Sequence, residues 1–152
     1  MRRILNILYQ TYPDSKCSLA HDSTFQLLIS TMLSAQCTDQ RVNKVTPELF
    51  RHYPTPKRMA DAPLEHLAEL VRSTGFFNSK SKNMSACARR LMEKHGGEVP
   101  ANLDDLVKLP GVGRKTANVV LGTGFHIPGL VVDTHVIRIG NLLDMTESQD
   151  PV

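Results

Sequence analysis

The chain has 152 residues, of which 41% are hydrophobic, 5% aromatic and none tryptophan, enough for one domain with a sizeable core, or one domain and part of another. Its 18 Lys and Arg against 15 Asp and Glu leave a net charge of +3, which permits an anionic partner without demanding one. Cys17, Cys37 and Cys87 form neither a CxxC metal knuckle nor a disulfide framework. No apolar run reaches the ~18 residues of a membrane helix, and the N-terminus lacks the apolar core of a signal peptide. Reduced thiols, an intracellular protein and no membrane partner are the expectation.

Residues 2–12 place Ile4, Leu5, Ile7, Leu8 and Tyr9 at helical spacing, and Pro13 ends that helix. Asp22 and Ser23 are cap-type residues before a largely buried helix whose face is Phe25, Leu28, Ile29, Met32 and Leu33. It ends within 34–38, leaving Gln36 in a polar connection. Thr38 or Asp39 caps the next helix, with Val42, Val45, Leu49 and Phe50 apolar, and Pro54 stops it. The three prolines of 54–63 read as a turn-rich link with one short helix around 58–60.

A further helix over 64–72 takes Gly75 as its residue beyond the C-cap. Asn78 or Ser79 caps a long helix to His95, stopped by Gly96 and Gly97. Met84, Cys87, Ala88, Leu91 and Met92 face inward there; Lys80, Lys82, Arg89, Arg90 and Lys94 cover its outside as a solvated face. Asn102 caps a helix over 103–109. The only β-like run, 130–132, is too short for a sheet, and Asp133 or Thr134 caps a last helix before the polar tail from Thr146. The pattern predicts an all-α chain of about seven to nine short helices without internal repeats.

The stretch LPGVGRKTANVVL, residues 109–121, combines a backbone anion site with a candidate nucleophile. Pro110 and Gly111 close the preceding segment, Gly113 permits a positive φ and close backbone approach, and 116–121 has the composition of a helix burying Ala117, Val120 and Leu121. Such a turn leaves N–H groups of its last residues and of the first helical turn for a phosphate oxygen, at the positive end of the helix dipole. Lys115 sits where that dipole disfavours an ammonium and eases access to the neutral amine.

This stretch resembles the helix-hairpin-helix motif of the endonuclease III family of DNA glycosylases. VDTH at 132–135 resembles that family's catalytic aspartate motif; MLSAQCTD at 32–39 and GFFNSK at 75–80 resemble two further blocks, in the family's order. The resemblance implies a six-helix domain over 18–132 with the hairpin at 103–124. It implies that 1–17 and 133–152 belong to a second helical domain, incomplete here, with the active site in the cleft between the two.

It also implies that Lys115 attacks C1′ of a flipped, damaged nucleotide, oxidised pyrimidines being the lesions that the family suggests, and that the strand is cut by β-elimination. Asp133 then stabilises the oxocarbenium charge or moves the nucleophile's proton, although capping a helix is its simplest alternative. Gly111, Val112, Gly113, Arg114 and Thr116 hold the DNA backbone. Gln36 fills the hole left by the flipped base. Phe76 wedges from the other side or is a core phenylalanine; His135 either bonds near the site or belongs only to the last helix. A lysine at 115 further distinguishes the chain from adenine glycosylase relatives, which lack that nucleophile.

The implied partner is double-stranded DNA containing damaged bases or abasic sites, bound by a monomer in the cytoplasm and nucleoid, or in a eukaryotic nucleus or mitochondrion. The family's [4Fe-4S] cluster takes four closely spaced cysteines that the resemblance places beyond Val152, so no metal or cofactor ligand is expected among these residues. The rival readings are a non-catalytic helix-hairpin-helix module, for which Lys115 and Asp133 do not matter, and an all-α interaction domain.

Overall fold

A computed structural model describes residues 2–150, and every regular element among the described residues is helical. In chain order they are α1 (Arg2–Thr11), α2 (Thr24–Leu33), α3 (Asp39–His52), α4 (Pro56–Ala60), α5 (Leu64–Leu70), α6 (Phe77–His95), α7 (Leu103–Leu106), α8 (Arg114–Val119) and α9 (Thr134–Leu142). A 3₁₀ turn, Arg72–Thr74, follows α5, and a π turn, Val120–Gly124, continues α8. The all-α expectation therefore holds.

The chain divides into two compact units, residues 19–129 and residues 1–18 with 130–152. In the larger unit α2 runs through the core. Leu27, Leu28, Ile29 and Leu33 have no exposed surface, and Ser30 and Thr31 between them are buried too, so the helix is enclosed on every side. Ser23 starts it by accepting from the Gln26 N–H, and Thr38 and Thr55 do the same for α3 and α4. α6 packs one face inward through Met84, Cys87, Ala88 and Leu91, all fully buried. Withdrawing a side chain the size of Met84 or Leu91 from water contributes roughly 1.5–3 kcal/mol, and Ala88 less. In the smaller unit neither α1 nor α9 has a buried residue.

Several local expectations are corrected. Lys80 is not on the outer face of α6: it is 7% exposed and bonded inward. Met92, expected inside, is 37% exposed, because the inward stripe turns away after Leu91. α6 begins at Phe77 rather than after a side-chain cap at 78 or 79; its N-cap is Phe76, in the left-handed region, with no capping side chain. Gly75 does not close α5. Its backbone at φ 70, ψ 158 lies outside the left-handed helical well of a helix-ending glycine, and the 3₁₀ turn stands between them. The helix over 103–109 ends at Leu106, after which tight turns bond Lys108 N–H to Asp105 O and Leu109 N–H to Leu106 O.

Candidate functional site

The hairpin turn is built from inside out. Asn102 accepts the Asp105 N–H at 2.9 Å and starts α7, while Leu109 and Val112 sink into the core at 2% and 6% exposure. Val112 donates its N–H to Leu109 O at 3.1 Å. It was expected among the backbone-holding residues, but its side chain is in the core and its donor is used within the turn. Gly111 has φ +75, and a Cβ there would sit 2.8 Å from Asn83 Cβ and 2.9 Å from Met32 Cε.

The positive φ that a glycine at 113 permits is used at Gly111 instead. Gly113 is at φ −92, ψ 173, extended backbone open to any residue, and a Cβ there meets nothing within 4 Å. The two glycines have different jobs. Gly111 is required by inward packing, whereas Gly113 leaves the outer surface bare.

α8 starts at Arg114, two residues before the expected start at 116. Its ladder opens with Ala117 N–H donating to Gly113 O at 2.9 Å, so the N–H groups of Arg114, Lys115 and Thr116 precede the first ladder bond. These donors, on the positive end of the helix and beside a bare glycine, suit a phosphate oxygen. Lys115 is exposed on the same turn. Ala117, Val120 and Leu121 are buried as their spacing requires. Val120 and Leu121 belong to the π turn, a local widening often found near functional sites.

Beside this turn lies a cavity of about 240 Å³ that brings Gln36, Phe76 and Gly111 to one place, with Met32, Lys80 and Asn83 in its wall. Gln36 has φ 53 and Phe76 φ 48. Left-handed backbone costs a non-glycine residue roughly 1–2 kcal/mol and persists where the surroundings over-determine it. Phe76 is 68% exposed, which removes the core-phenylalanine alternative. Both side chains are presented outward on strained turns.

Sequence reasoning missed Lys80, and the signal was available. Lys80, Met84, Cys87, Ala88 and Leu91 fall on one helical stripe, so the lysine shares the buried face. Its ammonium donates to the carbonyls of Leu33 and Thr74, each at 2.8 Å. Burial pulls its pKa below the ordinary lysine range, against the opposing influence of Cys37.

Asp133 and His135 belong to the smaller unit. Asp133 is the N-cap of α9: its Oδ1 accepts from the N–H groups of His135 at 3.0 Å and Val136 at 2.9 Å. A carboxylate is thereby fixed in direction by two backbone donors. His135 is exposed on the first turn of the same helix.

The thiols do not form a metal centre. Cys17 is exposed, Cys37 half-buried and Cys87 buried; burial pushes the Cys87 thiol up to about 12. Among the described residues no group of three or more His, Cys, Asp or Glu is placed to hold a metal ion, so these residues do not fit a four-cysteine cluster. No helix among them is long and apolar enough to cross a membrane.

The HhH-GPD superfamily base excision DNA repair protein model matches residues 29–152. Endonuclease III of Synechocystis sp. is 49% identical over 150 residues, 98% of this chain and 68% of that protein. A non-covalent endonuclease III–DNA complex superposes with a TM-score of 0.93 at 46% identity, covering 98% of this chain and 70% of the other. A trapped endonuclease III–DNA covalent intermediate matches with the same values. The chain belongs to the HhH-GPD superfamily of base excision DNA repair proteins and, within it, to the endonuclease III family.

Proposed function

We propose that the chain removes damaged bases from duplex DNA and cuts the abasic strand through a Schiff base on Lys115. The observation that carries this reading is an exposed lysine on the helical turn that follows the bare Gly113, in a chain 46% identical to a protein trapped covalently on DNA. Oxidised pyrimidines are the proposed lesions.

A phosphodiester rests against Gly113 and the N–H groups that open α8, with Arg114 and Thr116 beside it. The damaged nucleotide leaves the stack to expose C1′. Gln36 fills the space it vacates and Phe76 wedges the duplex, both carried outward by their left-handed backbones. The Lys115 amine, having lost a proton, attacks C1′; the glycosidic electron pair leaves with the base, which takes up a proton. Nζ gives up a proton and its electron pair expels O4′, which takes up a proton, so that the ring opens to an iminium between C1′ and Nζ. Loss of a C2′ proton then expels the 3′ phosphate, and water releases the lysine.

Asp133 stabilises the positive charge that develops on the sugar and carries the proton between steps. Its fixed direction on α9 supports this role, and His135 is proposed to bond near the same group. The protein is read as an intracellular monomer, with residues 18–132 as the six-helix domain and 1–17 and 133–152 as parts of a second. A [4Fe-4S] cluster, where the family carries one, is proposed to take its ligands beyond Val152, and no step above passes through it.

The test is incubation with duplex containing one oxidised pyrimidine. Strand scission ending in the unsaturated aldehyde of β-elimination supports the reading. Tight binding to abasic duplex with no scission at any enzyme concentration supports a non-catalytic module instead.

A further inference from the structure

Lys80 is buried without a carboxylate partner. No other charged side chain is buried among the described residues, and none of their ion pairs involves it. Withdrawing an ammonium from water is costly unless strong hydrogen bonds replace the lost ones, and a methionine fills similar space without that cost. The reason for a lysine lies in what it bonds. Leu33 is the last residue of α2 and Thr74 the last of the 3₁₀ turn, so both acceptors stand where a helical ladder runs out of donors. The cation also meets the negative end of the α2 dipole.

Each tied carbonyl is followed closely by a left-handed residue, Gln36 after Leu33 and Phe76 after Thr74. The two segments are far apart in sequence but share one cavity, in whose wall Lys80 lies. Among the described residues, one side chain from α6 bonds both carbonyls. Being buried, with two of its protons committed to carbonyls, Lys80 is not presented to a sugar carbon as Lys115 is.

We propose that Lys80 is a positioning residue whose ammonium ties the carbonyl ends of α2 and the 3₁₀ turn together, holding Gln36 and Phe76 at a fixed separation for entry into an opened duplex. The proposal rests on the reading of those two residues as the ones that enter DNA. An abasic site in single-stranded DNA needs no such entry, so it separates positioning from general damage to the fold.

The experiment compares Lys80→Met and Lys80→Gln with the parent by amide hydrogen exchange and by cleavage of an abasic site in duplex and in single strand. In Lys80→Met, exchange at residues 35–37 and 75–77 rises together by about tenfold or more while the α6 core stays protected. Duplex cleavage falls by about tenfold or more, and single-strand cleavage stays within about twofold. Lys80→Gln, which keeps N–H donors without the charge, recovers part of both losses, and it serves alone if the methionine variant does not fold.

Unchanged exchange in either segment overturns the proposal, and the exchange arm needs no activity. So does a parallel loss on both substrates that tracks the fall in Tm. Loss of borohydride-trapped adduct on single-stranded abasic DNA in Lys80→Met, with Lys115→Ala still trapping, makes Lys80 the nucleophile and overturns it too. If Gln36→Ala and Phe76→Ala leave the duplex rate unchanged while the exchange result holds, the reading of those two residues fails and the tie itself stands.

Discussion

Asp133 serves two physical purposes that substitution separates. As the N-cap of α9 it holds two backbone N–H groups; as a carboxylate it meets charge that develops on the sugar. Asparagine caps about as well as aspartate, so Asp133→Asn is expected to keep the thermal stability of the parent while slowing Schiff-base formation by roughly a hundredfold or more. Asp133→Ala should lose the cap as well, at roughly 0.5–2 kcal/mol. Calorimetry and single-turnover trapping on the two variants check both halves; equal rates for Asp133→Asn and parent reduce the residue to a cap.

Cys87 makes a different residue-scale prediction. Burial pushes the folded thiol from its ordinary 9.0 up to about 12, so the unfolded chain releases the thiol proton first. Stability is then unaffected below the unfolded value and falls as pH rises between the two, by at most about 1.4 kcal/mol per pH unit. Cys87→Ala should be less stable at neutral pH, because a cavity opens in the core, but should show a shallower alkaline decline in denaturant titrations. An equal slope in both proteins contradicts the assignment.

At the scale of elements, the hairpin shows why residue type alone misleads. Two glycines in GVG look equivalent in sequence, and either permits a positive φ; which one is constrained depends on what lies behind it. Asn83 and Met32 crowd Gly111, and neither adjoins it in the chain. Gly111→Ala should therefore destabilise the fold by about 1–3 kcal/mol through overpacking, plus backbone strain. Gly113→Ile should cost only the ~1 kcal/mol of a poor N-cap, yet abolish binding to abasic duplex by covering the backbone. Paired melting and binding measurements decide it, and wild-type affinity in Gly113→Ile removes the phosphate cradle.

Other elements were legible for definite reasons. Ser23, Thr38 and Asn102 each accept the expected first-turn N–H, because a short polar side chain ahead of an apolar period is a local signal. The start of α6 was not, since Phe76 carries no capping group and its left-handed backbone is imposed by tertiary structure. Lys80 was misplaced because a charged residue was assigned to the outside against its own helical stripe.

At the scale of the molecule, all-helical architecture followed from the absence of any sustained alternation, and the family from four motif blocks in order. What the sequence could not show is the convergence of Gln36, Phe76 and Gly111 on one cavity, which depends on how α2, α6 and the hairpin pack. Lys115 and Asp133 stand in different compact units, so their cooperation is a chemical claim about the chain as a whole.

Borohydride reduction of the chain bound to abasic duplex measures most directly whether Lys115 is the nucleophile, because only an amine joined to C1′ is captured. The account predicts a covalent adduct with the parent and none with Lys115→Ala, whose affinity for the same duplex should persist because the backbone donors of α8 remain. A Lys115→Ala protein that is trapped at the parent rate has another nucleophile, and contradicts the account at its centre.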